Sequence, residues 1–140
     1  MPFGTRTIAK NVSRQMKKME KDIIDLHQRW IETEMSDKYG IIEFCCDDIE
    51  ISPTSGKSIK GKTNFLNWIR ESDNGSVIEN IEISKREVIC LDQTGSLKAD
   101  FKTTIKTKDK KKHVINGQHV WDLVNENETW KVKRMTWEIR

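Results

Sequence analysis

Apolar residues recur through the first third of the chain at Ile8, Val12, Met16, Met19, Ile23, Leu26 and Trp30, spaced 4, 4, 3, 4, 3 and 4 apart. That spacing draws one continuous stripe along an α-helix. It also fits a coiled-coil seam, but only about three heptads are present, and the rest of the chain needs a helix to cover its sheet. Gly4-Thr5 offers a start and Met35-Ser36-Asp37 an end. Ser36 or Asp37 then caps a second, shorter helix, DKYGIIEFCC, with Ile41, Ile42, Phe44 and Cys45 on its apolar side. DIEIS alternates as a short strand that Pro53 and Gly56 end, and KTNFLNWIRES gives a third helix carrying Phe65, Leu66, Trp68 and Ile69.

The period changes after the loop Asp73-Asn74-Gly75-Ser76. VIENIEISKREVICL, SLKADFKTTIKT, HVINGQHVWDLV and WKVKRMTWEI are rich in β-branched and aromatic residues, and DQTG, KDKKK and NENET separate them. Four long strands joined by short turns make an antiparallel meander. Helices first and strands afterwards predict an α+β fold with the helices on one face of the sheet. Long antiparallel strands twist, and a sheet curled around its helices leaves a mouth for a ligand.

Composition narrows the classes. The chain has 140 residues, enough for one domain with its own core (residues 1–20 extending the first helix), and 34% of them are charged against 35% hydrophobic. No apolar run is long enough to span a membrane, and no h-region opens the chain, so a cytoplasmic protein is expected. Asn11-Val12-Ser13 is then a chance sequon. Cys45, Cys46 and Cys90 form no even framework, and with His27, His113 and His119 they give no zinc-type spacing, so neither disulfide nor metal is expected. A net charge of +3 does not announce a nucleic-acid partner, and the basic run KTKDKKKH reads as a solvated hairpin tip without interleaved aromatics.

GKSIKGKT, residues 56–63, matches the phosphate-loop pattern G-x-x-x-x-G-K-[ST] letter for letter. Such a loop belongs to a parallel βαβ sheet with a second acidic strand. This chain lacks both, so no nucleotide cofactor is expected.

The order helix-helix-strand-helix followed by four strands resembles the nuclear transport factor 2-like superfamily and, within it, the SnoaL-like group. The resemblance runs from about Lys21 to Ile139. It rests on SDKYGIIEFCCDDIEISP, with a double Asp ahead of strand one, on GKSIKGKTNFLNWI entering the third helix, and on the closing hairpin NGQHVWDLVNENETWKVKRMTWEI. It implies a cone-shaped roll, α-α-β-α-β-β-β-β, with three helices on a strongly curved, mainly antiparallel sheet. It also implies a homodimer through the outer sheet face and a pocket for a small, largely apolar molecule. The reaction is not implied, because the superfamily spans isomerases, dehydratases, cyclases and non-catalytic adaptors. A steroid-isomerase activity is disfavoured. The residue before Pro53 is Ser52 where that activity carries an Asp, and Tyr39, the only tyrosine, is not on the first helix.

Candidate site residues follow from strand parity. His119, Trp121 and Leu123 share one face of their strand, and Val120 and Asp122 the other. SnoaL-like cyclases place an acid–base Asp or His on these late strands, so His119 and Asp122 are the catalytic candidates, of which alternation admits one to the cavity. His27, near the apolar stripe, is expected over the pocket. Trp30, Phe44, Trp68, Trp121, Met135 and Trp137 are expected around it, an aromatic lining that suits a flat ligand. Asp47 and Asp48 read as backbone-binding acids at a helix-to-strand corner, and Glu50 points to solvent. An acid–base enzyme and a dimeric interaction module with a filled cavity stand as alternatives to simple ligand binding.

Overall fold

The structure is a computed structural model that describes residues 2–53 and 56–140, with side chains from residue 14 onward. Helix α1 runs Pro2–Ser36, strand β1 Cys45–Pro53, β2 Ile59–Lys60, α2 Lys62–Ser72, β3 Val77–Leu91, β4 Thr94–Lys106, β5 Lys112–Glu126 and β6 Thr129–Ile139. The six strands form one sheet in the order β2-β1-β6-β5-β4-β3, antiparallel except for the β1–β6 pair. Two helices cover one face of this mixed sheet, which gives the expected α+β class.

The second of the three expected helices is absent. Residues Gly40–Phe44 make a single 3-10 segment, and Cys45 and Cys46 belong to β1. Gly40 is where the chain folds back on α1: its N–H donates to the Asp37 carbonyl at 2.9 Å, and a Cβ there would lie 2.9 Å from Thr33 Cγ2. With the reversal made so tightly, the next residues reach the sheet edge at once, and Cys45 pairs beside Val132. β-Branched Ile41 and Ile42 give the segment little intrinsic reason to stay helical.

The helical stripe is buried from its middle on. Ile23, Leu26 and Trp30 are 0%, 2% and 3% exposed, whereas Met16 is 39% exposed. Ile8 and Val12, together with the sequon, lie outside the described side chains. Inner-face residues Leu97, Ala99, Trp121, Leu123 and Val132 complete the core.

Two bulges set which side chains face that core. In β3 the register slips between Ser84 and Glu87, where Lys85 takes φ 51°. The extra residue moves the inward parity from Ile81 and Ile83 to Arg86, Val88 and Cys90. In the β5–β6 pairing the slip between Asp122 and Leu123 lets Trp130 and Val132, and then Met135, all turn inward past exposed Lys133 and Arg134.

The phosphate-loop match folds into something else. Ile59 and Lys60, in its middle, pair with β1, and the Gly61 N–H donates to the Ile49 carbonyl at 2.7 Å. Gly61 has φ 90°, the left-handed range that favours glycine, as it opens α2. Its amide is therefore committed to the sheet. Lys62 turns to Asp47 at 3.6 Å.

Candidate ligand cavity

The ridge Ile23, His27, Trp30 and Glu34 runs along α1 at spacings of 4, 3 and 4, so three polar-tipped side chains face the sheet on successive turns. Opposite them, the inner face of β5 presents Ile115, Gly117, His119, Trp121 and Leu123. Gly117 is bare for a reason. A Cβ there would sit 2.4 Å from the Glu138 carbonyl and 2.6 Å from Phe101 Cζ, so the Phe101 ring lies over the glycine. From that position it stacks on His119, with ring centroids 5.5 Å apart and planes at 21°. Trp121 stacks on the same imidazole, also at 5.5 Å and at 28°. His119 is thus held by aromatic rings on two neighbouring strands.

His27 meets it from the helix. The two Nε2 atoms are 2.8 Å apart, a buried hydrogen bond that joins α1 to β5. The His27 ring also stands edge-on to Trp121 at 4.8 Å and 88°. Burial pushes both imidazoles down, His27 to about 3 and His119 to about 4, with each other's charge (for His27) and Arg86 adding to the effect. Both rings are uncharged at neutral pH.

A cavity of about 320 Å³ opens beside this pair, lined by side chains of α1, α2 and the sheet. Ile81, Phe101, His119 and Met135 line it from the sheet, Trp30 from α1, and Phe65 and Trp68 from α2. It reaches solvent where its lining residues Ser72, Asp73 and Ile139 become exposed. A polar clasp sits at that rim. Asp73 accepts from Tyr39 Oη at 2.6 Å and pairs with Lys38 Nζ at 2.7 Å, which holds its carboxyl well below the usual range.

Among the expected pocket residues, Trp30, Trp68, Met135, Trp137 and His119 line the cavity. His27 stands behind His119, and Trp121 behind both, in the core. Phe44 packs against Trp30 at 6.2 Å outside the cavity. Asp122 is on the outer face, exposed, 3.9 Å from Arg134, which also meets Glu50 at 3.6 Å. Asp47 and Asp48 are exposed on β1 at its register irregularity.

Glu34 and Arg86 are additions. Glu34 lines the cavity and accepts a hydrogen bond from the Trp30 side chain; burial nevertheless raises its carboxyl to about 7. Extending the helical stripe by one turn beyond Trp30 reaches its position, but only the sheet shows that the carboxyl is buried. Arg86 reaches inward only because of the bulge at Lys85, and its Nη2 lies 3.5 Å from Gln28 Oε1. The three thiols are buried and shifted upward, Cys45 to about 12 and Cys46 to about 11, so none is a ready nucleophile. No group of three or more metal-ligating side chains occurs among the described residues.

No family model matches the chain, and no curated protein does. Solved structures do. An NTF2-like protein with a cystatin-like fold from Novosphingobium aromaticivorans aligns with a TM-score of 0.73 at 12% identity, over 96% of this chain and 88% of its own. A ketosteroid isomerase-like protein from Erwinia carotovora atroseptica gives 0.74 at 13% identity, over 86% and 95%. A conserved protein from Planctomyces limnophilus gives 0.76 at 14% identity, over 89% and 99%. The chain has the NTF2-like fold. Identities this low carry the NTF2-like architecture and nothing of an activity. No helix among the described residues is long and apolar enough to cross a membrane.

Proposed function

We propose that this NTF2-like chain binds a small, largely apolar molecule in the cavity between its helices and the inner sheet face. One observation carries the reading: about 320 Å³ of space walled mainly by Trp, Phe and Ile side chains, with His119 and Glu34 as the ionisable groups away from the Lys38–Asp73 clasp. The volume is at the small end of the usual range of about 300–1,000 Å³ for ligand sites. Trp30, Trp68 and Trp137 border it, so occupancy should change tryptophan fluorescence. Titrating a panel of bicyclic aromatic compounds is expected to give saturable quenching, and Thr103→Trp, which fills the space, should weaken it at least tenfold with the fold retained. Quenching that survives the filled cavity would sink the proposal.

A second copy of the chain is the proposed occupant of the outer sheet face. Val114 and Val120 are exposed there, with Lys98, Lys102 and Arg134 interspersed among Glu82, Glu87 and Asp122, a mixture that can complement itself across a two-fold axis. Sedimentation equilibrium should give a dimer that Val120→Asp weakens. A native chain that stays monomeric at tens of micromolar would remove this part.

A further inference from the structure

The hydrogen bond between the two imidazoles leaves a choice of proton positions, and three buried atoms around it decide the choice. With both rings neutral, either His27 donates from Nε2 to a bare His119 Nε2, or the reverse. In the first arrangement His27 Nδ1 is a bare lone pair and His119 carries its proton on Nδ1. In the second, His27 Nδ1 carries a proton and His119 Nδ1 is bare.

Among the described residues, His27 Nδ1, Arg86 Nε and Trp121 Nε1 are the buried side-chain nitrogens without a hydrogen-bond partner. Arg86 Nε and Trp121 Nε1 are obligate donors. They belong to the same cluster: Trp121 stands edge-on to the His27 ring, and the Arg86 charge acts on both imidazoles. A proton on His27 Nδ1 would put a third unpaired donor beside two others and beside a guanidinium. A bare Nδ1 adds no further unpaired donor beside that charge. Unpaired buried N–H groups are also rarer than unpaired acceptors. His27 therefore donates, and His119 accepts at Nε2.

We propose that this fixes His119 as a neutral hydrogen-bond donor, through Nδ1–H, and that the cavity selects uncharged aromatic molecules bearing an acceptor oxygen such as a ketone carbonyl. His27 is the positioning residue. Its Nδ1 has no partner through which a proton could leave or arrive, so the pair does not relay protons and the tautomer stays put. The ring planes of Phe101 and Trp121 keep the imidazole from turning over. The ligand's lack of charge follows from the same surroundings: the cavity wall beside His119 is apolar, and burial raises Glu34 toward its uncharged form. An anion would need a cation in the cavity wall, and Arg86, though its charge reaches His119, does not line the cavity. Lys38 is at the rim, already paired with Asp73.

The ligand part of the proposal rests on the cavity reading above; the tautomer part does not. Long-range nitrogen–proton correlation spectra of the native protein at pH 7 read the tautomers without any variant. They should show His119 protonated at Nδ1 and bare at Nε2, with His27 the opposite. A bare His119 Nδ1 overturns the proposal whether or not anything binds. Methyl naphthyl ketone and isopropenylnaphthalene, in which a methylene replaces the carbonyl oxygen, then test the ligand class by fluorescence titration. The ketone should bind about three- to tenfold more tightly, the size of one net hydrogen bond, and His119→Phe, which keeps the stacking, should erase the difference. Equal binding of the two probes to the native protein overturns the acceptor selectivity. Failure of both probes to bind, with the expected spectra, overturns the cavity reading and the ligand class with it, and leaves the proton assignment standing.

Discussion

Replacing Trp121 by alanine is expected to cost about 3–5 kcal/mol of stability, the range for truncating a fully buried large aromatic. Trp121 has no solvent exposure and touches every part of the site's support. Its ring lies 4.7 Å from Trp30 and 4.8 Å from His27 on α1, and 5.5 Å from His119 on its own strand. Removing it opens a void next to the existing cavity and frees the His27–His119 pair on one side. The indole N–H is unpaired, so its polar atom adds no stability of its own. Trp121→Phe should therefore cost much less, on the order of 1–2 kcal/mol, because it keeps most of the volume and removes an unsatisfied donor. Urea unfolding of the two variants separates the terms. A loss below about 1 kcal/mol for the alanine variant would show that Trp121 does not hold helix and sheet together.

Much of this support is legible in the sequence because it follows simple periods. The spacing that predicts α1 puts Ile23, Leu26 and Trp30 in the core, and the third expected helix, KTNFLNWIRES, coincides with Lys62–Ser72. Strand alternation separates His119 from Asp122, and the two are on opposite faces. What escapes the sequence is where a period breaks for a tertiary reason. The bulge that turns Arg86 inward has no glycine to announce it; Lys85 takes the positive φ itself. The second helix fails because the reversal at Gly40 and the demand of β1 for Cys45 and Cys46 outweigh local helical pattern. Glu34 is a different case. It sits on the apolar stripe, but a carboxylate is read as solvent-facing unless something shows that it is buried, and that something is the sheet. The meeting of His27 with His119, 92 residues apart, depends on the helix crossing that sheet and no local signal contains it.

The buried ionisable groups pull stability in opposite directions, and a single substitution should expose the balance. Both imidazoles are held below their ordinary 6.5, so between there and their folded values the unfolded chain binds more protons than the native one. Their contribution is complete above pH 6.5 and is lost as the pH falls, about 2–3 kcal/mol per ring by pH 4.5. Glu34 works the other way. Raised from 4.5 to about 7, it makes the native state the better proton binder in that interval, so its contribution grows as the pH falls. Partial solvent access of its side chain tempers that gain to about 2–3 kcal/mol. The native protein is therefore expected to lose only about 3 kcal/mol through these groups between pH 7 and pH 4.5, and Glu34→Gln about 5 kcal/mol. The remaining carboxylates titrate alike in both proteins and cancel in the comparison. Urea unfolding at the two pH values measures the difference directly. If Glu34→Gln flattened the dependence instead of steepening it, the carboxyl would not be a buried acid protonated in the native state. If a His27→Phe, His119→Phe double variant kept the acid loss of the native protein, the imidazole pair would not be its source.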